Sequence, residues 1–273
     1  MALIESIKDF LLVYPENWHD WAPQIYAAVW VTIKLTICSF TLATVMGLLI
    51  AVGKMSPIKI VRGFCIRDIE VARGIPTLAI LFLLYFGLVP LGIVLDAFVA
   101  SYIGLGLTAA GYMAEIFRAG IGAIHKGQRE AAYAVGMTPY KSFRYIIFPQ
   151  AIRIIIPPLL NMLIILLKDT SICSLISTDE LMLRAKDLAM MSFRPMHLFL
   201  LAGVLYFFLA WPLSILTRRV EKKLQKIKKQ VTQCTKCELS KTRNNSVPGK
   251  GNFKSDVIFV GEAPGKNEDT NGE

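Results

Sequence analysis

The feature that most constrains this chain is a series of five long, unbroken apolar runs. Most of them are long enough to cross the hydrocarbon core of a bilayer as a helix. Their apolar residues do not recur at the helix or strand period that a soluble domain shows. The runs lie at residues 30–52, 75–89, 97–117, 154–176 and 196–216. They predict an all-α membrane protein with about five transmembrane helices.

Composition agrees with a membrane protein, because 54% of the residues are hydrophobic and the mean hydropathy is +0.51. Both values exceed those of ordinary soluble domains. The run at 75–89 is short for a crossing, so we expect its helix to begin inside the charged stretch 54–73. A kink is then expected near Gly74 and Pro76. We divide the chain into an N-terminal segment (1–24), a membrane domain (25–220) and a C-terminal remainder (221–273).

The distribution of Lys and Arg orients the five spans. The net charge of +10 is compatible with nucleic-acid binding, but membrane proteins concentrate Lys and Arg in their cytoplasmic loops. The segments 1–24, 54–73, 118–153, 168–197 and 218–230 contain one, five, six, four and seven of these residues. The rich segments therefore alternate with the poor ones, as five crossings require. This pattern predicts a multi-pass membrane protein with the N-terminus outside and the C-terminus inside.

The long polar loop at residues 118–153 has the pattern of a helix–turn–helix outside the membrane. Residues 126–135 favour a helix, and Gly136 suits the left-handed position that ends one. Thr138 can cap a second helix that has Pro139 at its first position and ends before Pro149. Small Ala131 and Ala132 are expected on the surface, where they would fit a partner's groove. An ordinary basic loop with two amphipathic turns is the alternative.

This loop resembles the signature loop of the permease subunits of ABC importers. That signature is Glu-Ala-Ala-x3-Gly-x9-Ile-x-Leu-Pro, and only Phe148 departs from it. Further stretches resemble the polar amino acid uptake branch of the family, so that the resemblance covers about residues 15–225. These stretches are Glu70–Pro76, Gly111–Ile121, Pro149–Arg153 and Leu167–Ser171.

The resemblance implies a transport subunit of a prokaryotic cytoplasmic (inner) membrane, which forms the path for polar amino acids and lacks ATPase activity of its own. The chain contains no Gly-x4-Gly-Lys-Ser/Thr loop. ATP would bind to a separate ATPase subunit, two copies of which would dock on the coupling loop, as we call residues 118–153. A solute-binding protein would deliver cargo outside, and a second permease, identical or a sister, would complete the channel in the lipid. The residues implied in coupling are Gly127, Glu130, Ala131, Ala132, Gly136, Ile146 and Pro149.

Polar residues near the ends of the apolar runs are candidates for the cargo path, because charges at membrane depth are costly and usually face a cavity. Adjacent Lys168 and Asp169 could complement the carboxylate and ammonium groups of an amino acid. The other candidates are Glu115, Asn161, Thr170 and Ser171. Two alternatives stay open: Lys168 and Asp169 could lie at the outer interface, and Glu115 could pair with Arg118 one turn on.

The last residues have a different character. Cys38, Cys65 and Cys173 are isolated and behave as small apolar residues, but Cys234 and Cys237 form a Cys-x2-Cys pair. Together with the loop at residues 261–265, this pair resembles the start of a family 4 iron–sulfur uracil-DNA glycosylase. In that family, Cys234 and Cys237 would be two of four cluster ligands.

The tail departs from that family in several ways. No later cysteine completes the ligand set, and about 43 residues cannot bury a core. We therefore expect a vestigial metal site without a bound cluster, no glycosylase activity and no nucleic-acid partner, and we interpret the tail as a joined gene fragment. A DNA-repair fragment fused to a permease is the alternative function. A channel or secondary transporter without an ATPase is a third class, against which the coupling loop argues.

Overall fold

The computed structural model describes the backbone of residues 2–232 and the side chains of residue 8, residue 10 and residues 12–222. Within that range the chain forms helices and no strand, which confirms the all-α class. The C-terminal tail, with Cys234, Cys237 and the loop at 261–265, lies outside the described residues.

Nine α-helices are described between residues 2 and 232. The first four are α1 (Ala2–Lys54), α2 (Lys59–Gly74), α3 (Thr77–Phe82) and α4 (Ala97–Gly122). The next three are α5 (Lys126–Ala134), α6 (Pro139–Lys141) and α7 (Phe148–Asp169), and the last two are α8 (Leu181–Ser192) and α9 (Pro195–Thr232). Two π-helical turns, Leu83–Gly87 and Ser142–Ile147, and two 3-10 segments, Val89–Leu91 and Thr170–Ile176, extend or join them.

Four segments of the described chain are long and apolar enough to cross a membrane. They are Leu12–Lys54, Ala97–Gly122, Pro139–Ile176 and Pro195–Lys222. A fifth crossing is obtained when Lys59–Gly74 and Thr77–Leu91 are taken together as one broken span. The prediction of about five transmembrane helices is therefore confirmed.

The break in the second span lies at the predicted place and is sharper than a kink. The axes of Lys59–Gly74 and Thr77–Leu91 differ by 101°. Pro76 restricts the residue before it to an extended backbone, and Ile75 accordingly has φ −94° and ψ 131°. Helix α2 therefore ends at Gly74, and a new helix begins after Pro76.

Two predicted boundaries differ from the structure. Helix α1 passes without a break through residue 24, although it contains Pro15 and Pro23. The second helix of the polar loop was expected to end before Pro149, and this prediction is wrong. That helix continues through the turn Ser142–Ile147 into α7, where Pro149 occupies the first turn, a place at which the missing N–H of proline is tolerated.

The described residues fall into two compact units. The first contains the residues up to Arg118 together with Leu159–Ser214, and the second contains Ala119–Pro158 together with the residues from Ile215 onward. In the first unit, residues of α1, α8 and α9 form a buried apolar cluster that includes Trp21, Ile25, Leu181 and Leu198. Helix α8, which the sequence pattern did not predict, thus belongs to the core.

Glycines allow the helices of the first unit to approach closely. A Cβ atom on Gly47 would lie 2.8 Å from the Cβ of Met113, and one on Gly106 would lie 2.7 Å from Cδ2 of Leu42. Both separations are shorter than real carbon contacts, so only glycine fits where α1 crosses α4. Membrane helices commonly associate through such small residues, because lipid supplies little hydrophobic drive for association.

A buried polar network holds the connection between the 3-10 segment and α8. The Glu180 side chain is fully buried, accepts a hydrogen bond from the backbone N–H of Leu183 at 2.9 Å, and also bonds the hydroxyl of Tyr206. The hydroxyl groups of Ser101 and Thr178 lie 2.6 Å apart, and the N–H of Leu181 donates to Thr32. These bonds satisfy polar groups at a chain reversal that would otherwise be costly to bury.

Candidate functional site

Helix α5 of the coupling loop begins and ends with the capping interactions that its sequence predicts. At its start, Nδ1 of His125 accepts a hydrogen bond from the N–H of Gly127 at 3.1 Å. At its end, Gly136 has φ +77°, and its N–H donates to the carbonyl of Tyr133 at 2.9 Å. A left-handed residue after the last helical turn is a common way to end a helix, and glycine adopts it without strain.

The next helical turn begins with Thr138. Its hydroxyl oxygen accepts a hydrogen bond from the N–H of Lys141 at 3.3 Å, and Pro139 occupies the first helical position. The predicted helix–turn–helix is therefore confirmed. Its two helical parts are fixed by local hydrogen bonds, so that the loop has a defined shape of its own.

The surface of the loop differs from the expectation. Ala131 is half-buried and Ala132 is fully buried, so the prediction that both lie on the surface is wrong for Ala132. Helix α5 packs against the turn Ser142–Ile147, and this packing places Ala132 in the interior. Among the other implied coupling residues, Glu130 and Gly136 are exposed, Ile146 is buried, and Gly127 and Pro149 are half-buried.

The exposed face of the loop consists mainly of larger side chains that sequence reasoning did not single out. Tyr133 is 49% exposed, Val135 59% and Tyr140 74%. Aromatic side chains are enriched where proteins bind each other, and few are expected to point into water without a role. The signal available in the sequence was the tyrosine at each end of the turn.

A side-chain hydrogen bond of Gln150 links the start of α7 to α5 inside the second unit. Its side chain is 7% exposed, and its Nε2 donates to the side-chain oxygen of Gln128 at 3.3 Å and to the carbonyl of Ile146 at 2.8 Å. Its Oε1 is buried and has no hydrogen-bond partner among the described residues.

A close contact between Gly120 and Ile155 also requires glycine. The side chain of Ile155 would collide with a Cβ atom at position 120.

The first unit contains a cleft of about 540 Å³ between the end of α2, the start of α3, the middle of α4 and the end of α7. We call it the charged cleft. Its lining consists of one cation, one carboxylate, three hydroxyl-bearing side chains and otherwise small or apolar residues. These residues are Arg73, Gly74, Ile75, Pro76, Thr77, Leu105, Thr108, Ala109, Tyr112, Met162, Ile165, Leu166 and Asp169.

The two charged residues of the cleft have few partners of their own. The guanidinium of Arg73 lies over the ring of Tyr112, 5.3 Å from its centroid, and is exposed. Asp169 is half-buried at the end of α7, and no described side chain forms an ion pair with it. Because a half-buried carboxylate without an ion-pair partner is costly to bury, Asp169 is a candidate to bind a cationic group.

Asp169 is the only one of the six candidate path residues among the described lining residues of the charged cleft. Asn161 and Lys168 are exposed and lie outside the lining. Thr170 and Ser171 donate their hydroxyl hydrogens to the carbonyls of Leu167 and Lys168, both at 2.7 Å. Both hydroxyl groups are therefore bonded to backbone carbonyls one turn earlier in the same helical segment.

Glu115 forms ion pairs at a separate place in the first unit. It bonds Lys54 at the end of α1, and it accepts hydrogen bonds from Nε and Nη2 of Arg118 at 2.9 and 2.7 Å. The alternative that Glu115 pairs with Arg118 is thus confirmed, and Lys54 is a second partner. Lys54 and Arg118 therefore already pair with the carboxylate of Glu115, whereas no described side chain forms an ion pair with Asp169.

Arg73 is the binding candidate that sequence reasoning missed. It was counted only as one of the charges in the stretch 54–73. The signal that could have identified it is its position next to Gly74 and Pro76, because a broken span turns the last residues of its helix toward a cavity.

Among the described residues, no three His, Cys, Asp or Glu side chains come together as they would to bind a metal ion.

Comparison with known proteins finds relatives over most of the chain. Residues 43–226 match the family described as binding-protein-dependent transport system inner membrane component. The probable amino-acid ABC transporter permease YckA of Bacillus subtilis is 36% identical over 201 residues, which cover 74% of this chain and 89% of that protein. The L-cystine transport system permease TcyB of the same organism is 33% identical, over 75% of this chain and 88% of that protein.

A solved structure shows the same fold. It is described as an amino acid ABC transporter with histidines, is 36% identical, and superposes with a TM-score of 0.72 over 76% of this chain and 97% of its own. The match to the family model covers more than half of the chain and includes the whole coupling loop, charged cleft and broken second span. The chain therefore belongs to the binding-protein-dependent inner membrane components, the multi-pass permease subunits of ABC importers.

Proposed function

We propose that this permease carries polar amino acids into the cell and that the charged cleft holds the cargo on its way. The observation that carries the proposal is the pair of Arg73 and Asp169 in one cleft of about 540 Å³. A guanidinium complements an α-carboxylate and a carboxylate complements an α-ammonium, as an amino acid requires. The amino-acid cargo named for the relatives supports the same assignment.

The remaining path candidates have supporting roles in this proposal. Lys168 is exposed and adjoins Asp169, and Asn161 is exposed on α7. We assign both to the surface that cargo would pass before or after the cleft. Thr170 and Ser171 shape the end of α7 through their bonds to Leu167 and Lys168, and Glu115 fastens α1 to α4.

We also assign the coupling loop as the docking site for an ATPase subunit, on which ATP would bind. The exposed aromatic face around Tyr133 and Tyr140 supports this assignment, since an apolar groove of a partner would cover it. A solute-binding protein outside the cell and a second permease copy or sister permease complete the importer. Each of these partners is implied by the family, and the permease itself needs no cofactor.

The coupling loop would transmit motion because it is rigid. The caps at His125 and Thr138, the left-handed Gly136 and the bond from Gln150 to Gln128 leave α5 few ways to move on its own. A displacement of the ATPase then moves the loop as one body rather than deforming it. Alternating access to the cargo would follow from closing and opening of the ATPase pair.

The experiment is to reconstitute the permease with its ATPase and binding protein in liposomes and to measure ATP-driven amino-acid uptake. Gly136→Arg should abolish uptake, because a bulky residue would have to adopt a left-handed backbone at the docking face. Gly136→Asn is the matched control, since asparagine tolerates that backbone, and most of the uptake should persist. Normal uptake by the arginine variant would refute the docking assignment, and a wild-type complex that transports no amino acid would refute the function.

A further inference from the structure

The end of α9 presents a group of basic side chains on the surface of the second unit. Arg218, Arg219 and Lys222 are exposed, whereas Thr217 beside them is buried. Successive residues of an α-helix are rotated by about 100°, so that the three basic residues lie within an arc of about 100° and Thr217 lies about 150° from its middle. We call these three residues the basic arc. It therefore faces away from the side on which this part of α9 packs.

The positive charge of the basic arc has no counter-charge in the described protein. None of its three residues forms an ion pair with a described side chain. Glu221 is the only acidic residue between residues 214 and 232, and four further lysines follow within residues 223–229. The backbone of α9 stays helical through Thr232. Seven basic residues against one acidic residue give this part of the helix an excess of six positive charges.

The basic arc lies where an apolar span ends. Helix α9 is apolar enough to cross the membrane over Pro195–Lys222, and little of its most apolar stretch is buried inside the protein. Leu216, the last apolar residue before the arc, is exposed. Basic side chains at the end of a span extend toward the lipid headgroups, which adjoin the hydrocarbon core. The arc is therefore at the depth of the lipid phosphate groups.

From its exposure, its missing counter-charge and its position, we propose that the basic arc binds the phosphate groups of anionic phospholipids such as phosphatidylglycerol. Each Lys or Arg next to an anionic membrane surface strengthens binding about fivefold, and the two arginines can bind phosphate oxygens through paired hydrogen bonds. A zwitterionic headgroup also carries a phosphate, but its ammonium group would lie close to the three cations. The arc therefore distinguishes lipids by their charge.

A location in the cytoplasm is a different explanation for basic residues, and it requires no bound lipid, because counter-ions in water neutralise exposed charges. The two explanations differ in a measurable way, since only lipid binding makes anionic lipid accumulate at this place. The proposal depends on neither the cargo nor the ATPase, because it concerns neither the charged cleft nor the coupling loop.

The experiment measures the lipid preference beside the arc. In a variant without the native cysteines, Leu216→Cys carries a fluorophore, and the purified full-length permease is reconstituted into phosphatidylcholine vesicles. Small fractions of phosphatidylglycerol or phosphatidylcholine with a nitroxide on the acyl chain are added as quenchers that act over a short range. Phosphatidylglycerol should associate at least about fivefold more strongly than phosphatidylcholine. Equal quenching by the two lipids would overturn the proposal.

Substitutions in the arc test whether its charge is the cause. Arg218→Gln, Arg219→Gln and Lys222→Gln together should lower the preference for phosphatidylglycerol at least about threefold. The matched variant combines Arg218→Lys, Arg219→Lys and Lys222→Arg, which keeps all three charges and should preserve most of the preference. A preference that the glutamine variant retains in full would contradict the assignment of the arc.

A second control separates the arc from the net charge of the protein. Lys126→Gln, Lys141→Gln and Arg144→Gln remove three exposed charges from the coupling loop and should leave the lipid preference unchanged. If this variant loses as much of the preference as the arc variant does, net charge rather than the arc attracts the lipid, and the proposal is wrong.

Salt provides a measurement that needs no substitution in the arc. Raising the salt concentration to about 1 M shortens the Debye length to about 3 Å, so the preference for phosphatidylglycerol should fall at least about threefold. A preference that does not change with salt would contradict attraction by charge. Lost binding of the ATPase by the glutamine variant, together with an unchanged lipid preference, would assign the arc to the ATPase and overturn the proposal.

Discussion

Glu180 shows how one buried side chain determines a local connection. The carboxylate lies at the start of α8, where it caps the helix through the N–H of Leu183 and bonds the hydroxyl of Tyr206. Burial raises the pKa of this carboxyl group, and the hydrogen bond from Tyr206 opposes the change only in part. The folded protein therefore binds a proton at Glu180 more tightly than the unfolded chain does.

This difference predicts a pH dependence of stability. As pH rises above about 4.3, the unfolded chain releases the proton first, so the charged carboxylate destabilises the folded state increasingly. Glu180→Gln has no such charge; its one oxygen can accept the bond from the N–H of Leu183, and its NH2 group can donate to the hydroxyl oxygen of Tyr206. Its unfolding temperature relative to wild type should therefore increase between pH 5 and pH 7.5, as measured by thermal unfolding of the purified protein.

Glu180→Ala serves as the control for the loss of the hydrogen bonds. It leaves the N–H of Leu183 and the hydroxyl of Tyr206 without their partner, and it should be less stable than the glutamine variant by about 1–3 kcal/mol at both pH values. A difference between the glutamine variant and wild type that does not change with pH would contradict the assigned cause.

At the scale of elements, the coupling loop depends on the bond between Gln150 and Gln128. Gln150→Ala removes the donor and leaves the side-chain oxygen of Gln128 without it. We expect α5 to loosen from α7, with a loss of about 1–3 kcal/mol in the local stability of the loop. Cargo transported per ATP hydrolysed should fall, while the permease still assembles with the ATPase.

The matched variant for this pair is Gln128→Glu, which keeps an acceptor at the same place. The bond from Gln150 to a carboxylate should be at least as strong, so the ratio of transport to hydrolysis should stay close to that of wild type. If Gln150→Ala transports normally per ATP, or if both variants lose coupling to the same extent, the bond does not hold the loop as proposed.

The elements that sequence predicted well are those fixed by local rules. Four of the five apolar runs have the length of a bilayer crossing, and Gly136, Thr138 and Pro139 specify a turn almost independently of the rest of the chain. The break after Gly74 follows in the same way from Pro76. These features needed no knowledge of which helices pack together.

The features that sequence did not predict depend on packing. Helix α8 is stabilised by the cluster with Leu198 of the next helix and with Trp21, which is far from it along the chain. Ala132 is buried because α5 packs against a π-helical turn, and no sequence rule predicted that turn. Arg73 became a binding candidate only when α2, α4 and α7 were seen to enclose one cleft.

At the scale of the whole molecule, the orientation in the membrane is testable with single cysteines. Tyr140 is 74% exposed on the coupling loop, and Met191 is 73% exposed at the end of α8. In a variant without the native cysteines, Met191→Cys should react with an impermeant thiol reagent in intact cells. In cells that express the permease without its ATPase, Tyr140→Cys should react only after the cells are permeabilised, because Lys and Arg retain its loop in the cytoplasm.

The opposite labelling pattern would show that the proposed topology, with the N-terminus outside and the C-terminus inside, is inverted. Tyr140 is a better site than Ser142, because the Ser142 side chain is 1% exposed and a cysteine there would be protected from the reagent on either side.

The C-terminal tail leads to a prediction about the extent of the functional chain. The spans, the coupling loop and the charged cleft all lie before residue 233, and the family match ends at residue 226. Deleting residues 233–273 should therefore leave membrane insertion, assembly and amino-acid uptake unchanged. Uptake by the truncated protein is compared with that of the full chain, and iron and zinc are measured in the full-length complex.

Two outcomes would give the tail a role. Stoichiometric metal together with lost uptake on truncation would show that Cys234 and Cys237 share a metal with the same pair in a second copy. Excision of uracil from DNA by the full-length protein would instead support the alternative repair function.

The π-helical turn Ser142–Ile147 has a consequence for the angular phase of the docking face. A π-helix closes its hydrogen bonds one residue later than an α-helix, and one residue corresponds to about 100° of rotation in an α-helix. If the same residues were wound as regular α-helix, Tyr140 would be rotated by about that angle relative to the start of α7. The direction in which the docking face points is therefore encoded in the helix type of the turn between Lys141 and Phe148, and two permeases with the same surface side chains, one of them with an α-helical turn here, would present them to differently oriented grooves.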